Sequence, residues 1–180
     1  MKYWLIILTA FAVAVLVYWF TALEAKAPAP APAAAGAGYE DATYVIENQP
    51  VTLKGGMATS SAAPGSAAQV VTRIFGNEAA GDLNGDGVPD EAFILTQSTG
   101  GSGTFYYVAA ALEGAPGGPV GTNAVLLGDR IAPQTTEIKD GEIIVNYAVR
   151  AAGEPMTARP SLGVSKYLKV AQGKLVEFAP

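Results

Sequence analysis

Between Ala80 and Glu91 the chain reads AGDLNGDGVPDE, the one stretch whose side chains and spacing point to a chemistry. Counting from Asp82, oxygen-bearing side chains fall at positions 1, 3, 5 and 9, as Asp82, Asn84, Asp86 and Asp90. Gly85 and Gly87 between them let the backbone turn tightly. Such spacing wraps three carboxylates and an amide around one centre and adds the main-chain carbonyl of Val88. A hard cation that takes six to eight oxygens fits that donor set, and calcium is the expected occupant. Without a cation, carboxylates aimed at one point would repel each other. A metal-free Asx turn is the simpler alternative, because Asp, Asn and Gly are also ordinary turn formers.

The rest of the composition narrows the chemistry. The 180 residues contain no cysteine and no histidine, which excludes disulfides, thiol or imidazole catalysis and the usual Cys/His zinc sites. A net charge of -5 without a basic cluster argues against nucleic acid as a partner. Glu78 and Glu91 flank the loop and could pair as acid and base, although a glycosidase needs a defined separation between its carboxyls that sequence does not supply. Ser161 or Ser165 with Lys166 would be a nucleophile and base. Neighbours on a strand face opposite sides, however, and no oxyanion-hole motif accompanies them. Phe105, Tyr106 and Tyr107 could offer a stacking surface, with at least one ring turned into the core. Ser98 to Gly103, STGGSG, lacks the pattern of a phosphate-binding loop and reads as a hairpin connection.

The elements that must position the loop are β-strands. From Tyr39 to Pro180, short β-rich runs alternate with Gly, Pro, Asn and Asp clusters. Strands are expected at Thr43–Glu47, Val51–Lys54, Gln69–Phe75, Glu91–Gln97, Thr104–Leu112, Asn123–Leu127, Gln134–Lys139, Glu142–Val149, Val164–Val170 and Lys174–Phe178. Asp140-Gly141 and Gln172-Gly173 suit two-residue hairpin turns. Ala58–Ala68, rich in Ser, Ala, Gly and Pro, reads as a loop with room for a short helix. The expected fold is all-β, an antiparallel sandwich or small barrel, and 39–180 is long enough to bury one core without a disulfide.

Ahead of this domain, Tyr3 to Leu23 carries no charged side chain. As a helix it would be about 31 Å long, matching a hydrocarbon core of about 30 Å. Tyr3 and Trp4 at one end and Tyr18, Trp19 and Phe20 at the other suit the membrane interfaces. Residues 1–23 therefore read as a signal-anchor that leaves the rest of the chain outside the cytoplasm. A cleaved signal peptide, using Ala25-Lys26-Ala27, is the alternative. No cysteine comes after it, so a lipoprotein anchor is excluded. Residues 24–38 contain AKAPAPAPAAAGAG, a Pro/Ala stalk spanning at most about 43 Å if fully extended.

The aspartate loop lacks the acid at position 12 that a helical calcium hand requires, since that residue is Phe93, and the segment EAFILTQ after Asp90 is β-like. The pattern instead resembles the DxNxDGxxD calcium loops of FG-GAP and VCBS-type repeats, which join two strands. That resemblance assigns Asp82, Asn84, Asp86, Val88 (through its carbonyl) and Asp90 to calcium, and sets Phe75-Gly76 against the aromatic-glycine strand end of those repeats. The unit occurs once, so a propeller is not expected. More broadly, GTNAVLLGDRIAPQ, GEIIVNYAVR, GEPM and GVSKYLKV resemble a group of small bacterial exported or membrane-anchored proteins without an established activity.

Together these features point to a single-pass membrane protein with an extracytoplasmic, calcium-binding β-domain. It would serve the cell envelope as a binding or structural module toward a protein or glycan. The other readings are a calcium-assisted envelope hydrolase, and an inhibitor or accessory protein of an envelope enzyme.

Overall fold

A computed structural model describes residues 38–180. The signal-anchor and nearly all of the stalk, residues 1–37, lie outside the described residues. Among the described residues no helix is long and apolar enough to cross a membrane.

After a 3-10 turn at Tyr39–Asp41, the described residues form twelve strands: β1 Thr43–Ile46, β2 Gln49–Thr52, β3 Met57–Ser61, β4 Gln69–Gly81, β5 Asp90–Ser98, β6 Phe105–Leu112, β7 Val120–Gly121, β8 Val125–Asp129, β9 Ala132–Lys139, β10 Glu142–Val149, β11 Leu162–Ala171 and β12 Lys174–Phe178. They build a hairpin, β1-β2, a four-stranded sheet in the order β12-β11-β10-β9, and a six-stranded sheet in the order β3-β4-β5-β6-β7, with β8 also pairing β6. Every paired strand is antiparallel to its neighbour. The expected all-β antiparallel architecture is present. The small barrel is not, because the sheets stay open, with β3 at one edge and β9 and β12 at others.

The central six-stranded sheet is covered on both faces, and its sequence explains why. A half-buried strand alternates apolar and polar residues, but β5 runs AFIL and β6 runs YVAAA without a polar break. On one face Ala92, Ile94, Val108 and Ala110 meet Ile143, Val145, Tyr147 and Leu168 of the four-stranded sheet. On the other, Phe93, Leu95, Tyr107, Ala109 and Ala111 meet Tyr39, Tyr44, Ile46 and Leu53 from the hairpin region. Small side chains at 109 and 111 suit a face occupied by rings: Phe93 packs at 5.2 Å from Tyr39 and edge-on at 5.3 Å from Tyr44.

Two expectations need correction, and one short strand falls where none was expected. Met57–Ser61 is a strand that overlaps the start of the stretch Ala58–Ala68 read as a loop: it is the edge strand β3, mostly exposed, ordered by pairing with β4. Phe75-Gly76 is not a strand end. The register shifts around Gly76 as in a β-bulge, and β4 continues to Gly81. Val120–Gly121 forms β7, too short to carry a pattern. The two expected hairpin turns are present, with Asp140 and Gly141 at φ 53° and 77° and Gln172 and Gly173 at 52° and 72°, the left-handed pair that a type I′ turn requires.

Candidate metal centre

The aspartate loop connects β4 to β5, neighbours in the central sheet. Its first support is Gly81: a Cβ there would lie 2.6 Å from Ile138 Cγ2, so only glycine lets the end of β4 pass so close to β9. Beyond it, Gly85 and Gly87 adopt φ of 80° and 84°, a region that favours glycine.

The side chains lock these turns from within. Asp82 Oδ1 accepts the Gly85 N–H at 2.7 Å, and Oδ2 accepts that of Gly87 at 2.9 Å. Asn84 Oδ1 accepts the Asp86 N–H at 2.9 Å, while its Nδ2 donates to Asp86 Oδ2 at 3.0 Å. Asp86 Oδ1 accepts the Val88 N–H at 2.7 Å. The N–H groups of Gly87 and then Gly85 hold the Asp82 carboxyl below its ordinary range.

Asp90 behaves differently from the other three. It is 1 % exposed, whereas Asp82 is half-buried and Asn84 and Asp86 are exposed. Its Oδ2 accepts the Leu83 N–H at 2.8 Å and its Oδ1 accepts the Glu113 N–H at 2.9 Å. Burial pushes its acidity toward the neutral form; the two N–H groups oppose this, and the charges of Asp86 and Asp82 add to it.

A second loop, between β6 and β7, completes the neighbourhood, and nothing in the spacing of residues 113–119 announces it. A Cβ on Gly114 would stand 3.0 Å from Asp86 Oδ2 and 3.5 Å from Val88 Cγ2. Glu91, the next residue after Asp90, is only 7 % exposed and points to the opposite face of β5. Burial raises its pKa first, with the charges of Glu78 and Glu113 adding to the shift.

The loop carries oxygen donors of the kind that a hard cation takes. Each carboxylate oxygen of Asp82 and Asp86 has accepted one hydrogen bond and retains a second lone-pair site. Among the described residues no lysine or arginine forms a salt bridge with Asp82, Asp86 or Asp90. Yet the described residues include no group of three acidic side chains drawn together tightly enough to hold a metal. The carboxylates are spread over the backbone N–H groups of the loop.

The other constellations are separate. Ser165 donates to Asn146 Oδ1 at 2.6 Å, whereas Lys166, on the other face of β11, pairs with Glu177 at 2.6 Å, so no Ser-Lys dyad forms there. Tyr107 is buried, with its hydroxyl donating to Glu47 at 2.9 Å. Tyr106 faces the other way and stacks edge-on with Phe75 at 5.4 Å.

The chain matches no protein-family model, no curated protein and no solved structure.

Proposed function

We propose that this is a membrane-tethered, outward-facing β-domain whose Asp82–Asp90 loop takes up calcium, and that it serves the cell envelope as a binding or structural module. The observation that carries the reading is the loop itself: acidic oxygens with spare lone pairs and, among the described residues, no salt-bridge partner, locked by their own backbone between adjacent strands of the central sheet. Asp82, Asn84 and Asp86 hold the cation, with Val88 through its carbonyl and Asp90 from below. The apolar run of residues 3–23 and the Pro/Ala stalk supply the tether.

Calcium bound only by the folded form adds about 2.7 kcal/mol of stability at a hundredfold excess over Kd. Without an acid at position 12 the affinity belongs to the extracellular range, roughly 10⁻⁴–10⁻³ M. The domain is then firmer outside the cell than in a calcium-poor cytoplasm. A thermal melt of the full chain in detergent, with calcium and with chelator, tests this. Melting should rise by several degrees with calcium and lose that rise in Asp82→Ala and Asp86→Ala; equal melting temperatures in the unaltered chain would sink the proposal.

One observation favours the hydrolase reading: Glu91 is buried beside the charges of Glu78 and Glu113 and shifted toward its protonated form, as a general acid is. That reading predicts turnover of cell-wall fragments that disappears in Glu78→Gln or Glu91→Gln while the fold persists.

A further inference from the structure

Among five asparagines, at 48, 77, 84, 123 and 146, Asn84 alone precedes a glycine, and it sits in the exposed loop. We propose that Asn84 is a modification site, a point of self-catalysed deamidation that the hydrogen bonds of the Asp82–Asp90 loop hold shut. This goes beyond the calcium reading and does not depend on it.

The chemistry needs only water. The Gly85 nitrogen, on losing its proton, attacks Asn84 Cγ. A C–N bond forms to close a five-membered imide, and the side-chain nitrogen leaves with protons as ammonia. Water then opens one of the two imide C–N bonds, giving either an aspartate or an isoaspartate whose main chain runs through the former side chain. A glycine after the asparagine leaves the attacking nitrogen unhindered, since it has no Cβ.

In the folded loop every participant in ring closure is restrained. The attacking N–H is bound to Asp82 Oδ1 at 2.7 Å, and a carboxylate beside that nitrogen opposes the negative charge it must acquire. The amide under attack is tied at both ends, Oδ1 to the Asp86 N–H and Nδ2 to Asp86 Oδ2. Ring closure must break these bonds, so the site is reactive only when the loop opens.

The product cannot restore the lock. A carboxylate at position 84 has no donor for Asp86 Oδ2 and adds a like charge between Asp82 and Asp86. Isoaspartate also lengthens the main chain and displaces the Gly85 N–H. Deamidation is therefore a one-way opening of the loop.

The test measures loss of Asn84 by peptide mapping and mass spectrometry, using the full chain in detergent with chelator throughout so that calcium plays no part. Four samples are incubated: native, denatured in guanidinium, native Asp82→Ala, and native Glu154→Ala, which removes the acceptor of the Ala151 N–H in the β10–β11 turn, outside the loop. The folded chain should lose Asn84 at least roughly tenfold more slowly than the denatured one, since a hydrogen bond to a charged group is involved. Asp82→Ala should recover roughly tenfold of that rate while its melting curve shows it folded, and Glu154→Ala should match the unaltered chain. Equal rates in native and denatured chains would overturn the proposal, as would a folded Asp82→Ala that ages like the unaltered chain. Should Asp82→Ala fail to fold, the native against denatured comparison decides alone.

Discussion

The carboxylate of Asp90 accepts the backbone N–H of Glu113 at 2.9 Å, 23 residues further along the chain. Its second oxygen accepts the N–H of Leu83 at 2.8 Å. One buried side chain thus fastens the aspartate loop to the β6–β7 loop, and both loops meet again where Gly114 stands beside Asp86. Whatever the first loop binds, its shape depends on Asp90 as a clamp.

Removing that clamp should be costly. Asp90→Ala leaves the N–H groups of Leu83 and Glu113 without their acceptor, and Leu83 itself is buried. Orphaned buried donors cost about 1–3 kcal/mol each, so a loss of roughly 3 kcal/mol is expected in a denaturant titration, with calcium absent. A change within about 0.5 kcal/mol would show that the two bonds contribute little.

Asp82 should mark the acid limb of stability. Its folded pKa is depressed by the Gly87 and Gly85 N–H groups, so its contribution is present above the unfolded value and fades as pH falls through the folded one. Melting temperatures recorded from pH 6 downward should fall less steeply below about pH 4 in Asp82→Asn than in the unaltered chain. Identical acid limbs would assign the acid sensitivity to other carboxyls.

Glu91 has the opposite sign. Burial raises its pKa, so it is accommodated best when protonated, and that stability is lost as pH rises through the folded value. Glu91→Gln should therefore melt higher at pH 7, by roughly 3–5 °C for a gain near 1 kcal/mol, and the difference should shrink toward pH 4. A lower melting point at pH 7 would indicate that the charged form has a favourable partner.

Phe93 tests the layer between the hairpin region and the central sheet. It is fully buried against Tyr39 and Tyr44, so Phe93→Ala should cost about 3–5 kcal/mol. It should also loosen Tyr44, whose hydroxyl donates to the Tyr39 carbonyl at 2.6 Å, seen as faster amide exchange across β1. Unchanged exchange there would mean that the hairpin is held by other contacts.

Much of this fold was legible because alternation and turn chemistry are local. Glu142–Val149 shows its inward Ile143, Val145 and Tyr147, and Asp140-Gly141 marks the turn before it. Met57–Ser61 was not legible, since an exposed edge strand needs no apolar face and takes its order from a partner. The extension of β4 past Phe75 was hidden by the bulge at Gly76, which interrupts the period of two. In the loop, spacing singled out Asp82, Asn84, Asp86, Val88 and Asp90; the structure ties Asp82, Asn84 and Asp86 to backbone N–H groups of the loop and places Asp90 at the start of β5. Spacing gave no sign that Asp90 is buried or that Glu113 supplies its second partner, because that bond joins distant parts of the chain and uses a backbone group every residue possesses.

The central claim is that the Asp82–Asp90 loop is a calcium site, and the most direct measurement is an NMR calcium titration of the isotopically labelled chain in detergent. The amide signals of Gly85 and Gly87, both bound to Asp82, should move saturably with a midpoint of roughly 10⁻⁴–10⁻³ M, while that of Gly153, outside this loop, stays in place. Gly85 and Gly87 signals that do not move through that range would contradict the account and leave the loop as a hydrogen-bonded turn.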